Sequence, residues 1–211
     1  LLIFLIVCLA RSAGADEAAS TQPQISATSS GEQLLATPPK DWQQTYRLNT
    51  DKTRLVDYIP MTDSGAGDSE NKQTDWKTKL SFESHQSLAE MDPISILMGE
   101  LDTMRQNCEK IESFNLFSGL ENRYPTSVRL TFCGENAHTG EGEISISKAI
   151  QGNDYLYLIK LIHRVPAFES NNNNVPEQLV ASWADYFGQV TVCDDTRPDH
   201  PCTDNPEVQT Y

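Results

Sequence analysis

The stretch from Gly142 to Phe168 constrains the fold more than any other part of this 211-residue chain. In its first half Ile144, Ile146 and Ile150 fall on one side of an extended backbone, with the aliphatic stem of Lys148 between them; Glu143, Ser145 and Ser147 fall on the other. That period of two predicts a strand with one buried face. Gln151, Gly152, Asn153 and Asp154 supply a turn, because Gly and Asn accept positive φ and Asp bonds to nearby backbone. In the second half Tyr155, Tyr157, Ile159 and Leu161 line one side, and Leu156, Leu158 and Ile162 the other. A strand apolar on both faces belongs inside a sheet that is covered on both sides. Pro166 has no amide hydrogen for a ladder, so the strand is expected to end near it. The hairpin is therefore scaffold, and a site is expected at its ends, in the loop from Gly134 to Gly142 or beyond Pro166.

The remaining elements follow from the same signals. Trp42 to Leu48 and Thr53 to Ile59 predict two strands joined by the turn Asn49–Lys52, with Pro60 closing the second. Met61 to Thr74 reads as a polar loop, and Trp76 to Ser84 as a third strand. Asp92 is placed to cap a helix with Pro93 at its first position. Ile94, Leu97, Met98, Leu101, Met104, Cys108 and Ile111 recur at helical spacing and predict one long apolar stripe. Phe114 to Phe117 suggests a short strand, and Val128, Leu130 and Phe132 another that ends at Cys133. A last helix is expected from a capping pair at Asn174 and Glu177, with Leu179, Val180, Trp183, Ala184 and Phe187 inward and Gly188 at its end. Strands and helices in runs, joined by short turns, predict α+β: an antiparallel sheet of six to seven strands flanked by two helices.

The start of the chain predicts its compartment. Residues 1–15 read as a secretion signal, an apolar run from Leu1 to Ala10 followed by the small-residue cleavage pattern Ala13-Gly14-Ala15. Val7 stands before Cys8 where a lipidation signal has a small residue. Residues 16–40, rich in Ala, Ser, Thr and Gln, read as a structureless leader. A single domain is expected over 41–193, with a tail over 194–211. Beyond the signal there are four cysteines, Cys108, Cys133, Cys193 and Cys202. An even number in an exported chain suggests two disulfides, and sequence leaves the three pairings open. A Cys108–Cys133 bond would pin helix to sheet, and a Cys193–Cys202 bond would hold the tail. The chain lacks any N-x-S/T glycosylation sequon, which fits a bacterial periplasm or secretion from it.

The formal charge of −14 opposes binding to nucleic acid. No C-x-x-C, paired metal-ligand spacing, phosphate loop, dinucleotide fingerprint or nucleophile elbow occurs, so no cofactor and no metal is expected. The candidate catalytic residues are His138, in the loop after Cys133, with Glu141 and Glu143 at the strand entry. Two carboxylates there could serve as acid and base; the competing reading is a solvated strand edge. Asp194, Asp195, Asp199 and Asp204 offer oxygen ligands without the spacing of a calcium loop. Trp42, Trp76 and Trp183 are expected in the core.

Two groups of residues carry a resemblance. One is Tyr58-Ile59-Pro60, followed by an acidic loop and Trp76. The other is Cys133-Gly134 leading to Gly142-Glu143-Ile144 and the Gly152 turn with Tyr155 and Tyr157. Together they resemble uncharacterised exported proteins of Gram-negative bacteria, and the element order is similar to the PsbP/Mog1-type α+β fold. The resemblance implies an accessory or binding factor and carries no catalytic residue with it. The sequence thus points to a non-enzymatic binding or assembly module of the bacterial envelope, with another envelope or secreted protein as partner. The alternatives are a hydrolase with a site near 134–143, or a virulence factor released to a host.

Overall fold

In the computed structural model, which describes residues 31–63, 76–169 and 177–202, the expected hairpin is the centre of the sheet. β7 (Gly142–Gln151) and β8 (Leu156–Val165) pair antiparallel from Gly142 opposite Val165 to Gln151 opposite Leu156. β8 then pairs with β4 (Thr78–His85), followed outward by β3 (Thr53–Pro60) and β2 (Trp42–Asn49). β7 pairs with β6 (Tyr124–Cys133), and β6 with β5 (Ile111–Glu121). The order is β2-β3-β4-β8-β7-β6-β5, every pairing antiparallel. The α+β architecture read from the sequence is the one observed.

Both faces of the hairpin are covered, as its composition requires. On one face Ile144, Ile146, Ile150, Tyr157, Ile159 and Leu161 form the main core with Trp183 and Phe187 of helix α2 (Glu177–Gln189). On the other, Ala149 and Leu158 pack under Leu97 of helix α1 (Pro93–Arg105). Full burial of each such apolar side chain contributes about 1.5–3 kcal/mol relative to exposure. Helix α1 starts as expected: the Asp92 carboxylate accepts a hydrogen bond from the Ser95 amide at 3.0 Å, and Pro93 follows it. The Asn174 cap expected for α2, and the loop residues 64–75, lie outside the described residues.

Five expectations need correction. Residues 32–35, placed by composition in a structureless leader, form strand β1 (Glu32–Leu35), antiparallel to β9 (Thr191–Asp194) in a second, two-stranded sheet. The tail therefore starts later than Asp194: its backbone amide donates to the His200 carbonyl at 2.7 Å, closing a turn. Helix α1 stops at Arg105, so Cys108 lies in the following turn, in an isolated bridge with Asn136, and Ile111 begins β5. β5 itself is eleven residues long rather than a short strand. On α2, Ala184 is exposed, and Tyr186 takes the inward role, donating from its hydroxyl to the Thr37 carbonyl at 3.0 Å. The cysteines pair Cys108 with Cys133 and Cys193 with Cys202, at Cα separations of 5.6 and 4.9 Å.

Two buried charges knit the sheets together. The Glu32 carboxylate is fully buried against the β7–β8 turn, where it accepts from the Asn153 amide at 2.6 Å and the Tyr157 hydroxyl at 3.1 Å. Any side chain at Gly152 would collide with it. Burial raises the Glu32 pKa against the pull of those donors. Lys148, whose stem was expected among the isoleucines, is also fully buried. Its ammonium donates to the carbonyls of Phe187 at 2.8 Å and Val190 at 2.6 Å, at the end of α2. It also meets the Glu121 carboxylate at 2.5 Å. Burial lowers its pKa, against the hydrogen bond and charge of Glu121.

Candidate functional site

The loop from Gly134 to Gly142 was the first place to look for chemistry. Its fold is set by Asn136, whose carbonyl accepts from the Thr139 and Gly140 amides at 3.1 and 2.8 Å and whose side-chain oxygen accepts from the His138 amide at 3.0 Å. His138 is exposed, and no hydrogen bond or ion pair joins its ring to Glu141 or Glu143. The two glutamates do come together, but around a cation. Arg164 Nε lies 3.8 Å from Glu141 and 3.9 Å from Glu143, and its guanidinium stacks 3.8 Å from the centre of the Trp76 ring. A carboxylate pair neutralised by arginine is an ion-pair cluster, not an acid and a base set apart across a bond. Trp76, expected in the core, is instead a half-buried platform for Arg164 and, at 4.9 Å, for Lys79.

The other histidines are equally committed. His163 bonds to Thr78 Oγ1 at 2.8 Å and packs edge-on against Trp183; burial and the charge of Lys77 lower its pKa. His200 stacks on Tyr124 with ring centres 4.0 Å apart. His85 bonds to Glu83 at 3.0 Å, and Glu83 in turn meets Lys160 at 2.6 Å, which also reaches Glu100 of α1 at 3.0 Å. Burial alone would raise the Glu83 carboxyl; the His85 hydrogen bond and the Lys160 charge outweigh it and hold the group at about 2, against an ordinary 4.5. A carboxyl with a lowered folded value stabilises the fold above its unfolded value and loses that stabilisation as pH falls through the folded one. Glu83→Gln is therefore expected to lose about 1.5–3 kcal/mol at pH 7. Urea midpoints followed downward from pH 4.5 toward about pH 2 should also fall less steeply in the variant than in the parent chain.

Asp194, considered for calcium, is buried and accepts from the Thr196 amide and hydroxyl at 2.9 and 2.6 Å. Among the described residues no three His, Cys, Asp or Glu side chains stand close enough to hold a metal ion.

What remains is the outer edge of the sheet. Among the described residues β5 pairs with β6 alone, so alternate amides and carbonyls along its eleven residues face away from the sheet. It is joined to β6 by Asn122 and Arg123, both at positive φ (45° and 65°), the two-residue turn that matches strand twist. A bulge between Asn115 and Phe117 shifts its phase. The bulk of its apolar side chains stays outside the core: Leu120 is 66% exposed, Phe114 49%, Leu116 45% and Phe117 37%. Natural edges are blunted by lysine, proline, bulges or brevity; β5 has the bulge, contains neither residue and is long. At its Ile111 end a cleft of about 150 Å³ is lined by Glu109, Lys110, Gly134, Glu135, Ala167, Phe168 and Glu169, with Lys110 in a close ion pair with Glu169.

The sequence reading missed this edge, because the bulge interrupts the alternation on which a strand is recognised. The signal that could have found it is five large apolar residues within eleven without a lysine among them. No protein-family model matches the chain, and no curated protein sequence matches it.

Proposed function

We propose that this protein is an exported, non-enzymatic binding or assembly module of the bacterial envelope, which takes a protein partner by adding a strand to β5. The observation that carries the reading is the edge itself: among the described residues β5 pairs with β6 alone, which leaves alternate backbone groups turned outward, with Phe114, Leu116, Phe117 and Leu120 exposed along it. Main-chain bonds at such an edge supply affinity, and alternate side chains supply selectivity. Export is supported by the apolar run and cleavage pattern of residues 1–15. It is supported also by two disulfides, which persist in oxidising compartments. Among the described residues no helix is long and apolar enough to cross a membrane.

A photo-crosslinking residue placed at Leu120, in cells of a host that exports the chain, tests the reading. It should capture one discrete protein, while the same probe at Gln44 on the opposite edge strand β2 should not. The capture at Leu120 should disappear when Phe117→Lys is added. Equal labelling from both edges, or labelling that survives the lysine, would sink the reading.

A further inference from the structure

The chemistry of the incoming strand can be read from the charges along the edge, an argument that rests on β5 being the binding edge. Ile111–Glu121 holds two carboxylates, Glu112 and Glu121, and no Lys or Arg. Glu121 has its cation inside the protein, in Lys148. Glu112 has none: among the described residues it enters no ion pair, nor do Glu109 and Glu135 at the same end of the strand. Lys110 between them is in close contact with Glu169 and feels the charges of Glu109 and Glu135 as well, one cation among three carboxylates, with Glu112 a fourth. The edge is therefore apolar along its length and negative at its Ile111 end.

A second copy of the chain does not complement such an edge. Twofold antiparallel pairing would set Glu112 of each copy beside the Leu120–Glu121 end of the other, where the strand holds no cation and Arg123 of the turn supplies a single positive charge against Glu109, Glu112 and Glu135. Each copy would also bring a formal charge of −14. The complement is a basic segment of another protein.

We infer that β5 accepts, antiparallel, an extended protein segment whose alternate side chains are apolar and whose C-terminal end carries Lys or Arg. The apolar residues lie along Phe114 and Phe117, which share a face of β5 opposite Leu130 and Val128; Leu120, opposite Pro125, stands on the other face. In antiparallel pairing the C-terminal end of the guest sits at the Ile111 end of β5. Its cations then meet Glu112 and the carboxylates of Glu109 and Glu135.

The test uses the whole protein and synthetic peptides of roughly ten residues, the span of a long strand. All share one alternating Val-Thr body. One ends in Lys-Lys, a second ends in Glu-Glu, and a third begins with Lys-Lys. Affinity is read by fluorescence anisotropy, and the site by amide hydrogen exchange. The peptide ending in Lys-Lys is expected to bind at least about tenfold tighter than the other two. It should slow exchange of alternate β5 amides and weaken with added salt. The double substitution Glu112→Lys, Glu135→Lys should reverse the preference toward Glu-Glu, with an unchanged thermal melt showing that the fold persists.

Equal affinities, protection away from β5, or tightest binding by the peptide that begins with Lys-Lys would each overturn the inference. So would failure of every peptide, or dimerisation that protects β5 without peptide. The crosslink from Leu120 is read separately. A partner captured there alongside indifferent peptides would leave the binding role standing and remove only the charge rule.

Discussion

Lys148→Met is expected to lower the free energy of unfolding by about 3–5 kcal/mol at pH 7, read from urea denaturation. Methionine keeps most of the aliphatic volume between Ile146 and Ile150, so the isoleucine face stays packed. What is lost is the ammonium. It closes two carbonyls at the end of α2, those of Phe187 and Val190, and neutralises Glu121 at the end of β5. Buried carbonyls without a donor each cost about 1–3 kcal/mol. The Glu121 side chain is 26% exposed and can recover water. Adding Glu121→Gln to the variant should therefore restore only about 1 kcal/mol, the scale of one ordinary hydrogen bond. The carbonyls of Phe187, in α2, and Val190, just after it, thus carry the larger share of the effect. A single variant within experimental error of the parent chain would show that one cation does not hold β7, α2 and β5 together.

The second large effect is expected from the disulfides, and its test is a ratio. Cys108 and Cys133 are 25 positions apart, and Cys193 and Cys202 are 9 apart. If cross-links act through the entropy of the unfolded chain, replacing the first pair by alanine should cost about 3–4 kcal/mol and the second about 2–3 kcal/mol. Both costs are read as shifts in urea midpoint at constant slope, with the connectivity checked by non-reducing peptide mapping. The longer bond ties the turn after α1 to the end of β6, beside the start of β5. Its loss should also speed amide exchange at Ile111 to Ser113 before it is felt in β8. Equal costs for the two pairs would mean that strain or residual structure, rather than loop closure, sets their value.

The parts of the fold that the sequence made legible are those in which neighbours in sequence are neighbours in space. The β7–β8 hairpin, the two strands after Asp41 and the Asp92-Pro93 start of α1 all announce themselves within a dozen residues. β1 does not. Its four residues, Glu32 to Leu35, have no periodicity to speak of, and they are a strand only because Val192 and Cys193 reach them from the other end of the chain. Tertiary pairing of that kind overrides local composition, and a polar Ala/Ser/Thr-rich prelude conceals it. Lys148 was half legible: its stem fell among isoleucines, but its three partners come from α2 and β5. The surroundings of the candidate catalytic residues were hidden for a related reason. Glu141 and Glu143 share a neighbourhood, as their spacing implied, yet Arg164 comes in from β8 and claims both. The edge at β5 stayed hidden because exposure is a property of what is absent from one side of a strand.

The pairing of β1 with β9 has a mechanical consequence. Glu32 lies opposite Asp194, and Leu35 opposite Thr191. Residue 31 and residue 195 leave the ladder at the same end, but tension from beyond Cys202 enters at Cys193, opposite Gln33, through the disulfide. The seven-stranded sheet shares that load, because Asn122 donates to the Pro201 carbonyl at 3.2 Å and His200 stacks on Tyr124 of β6.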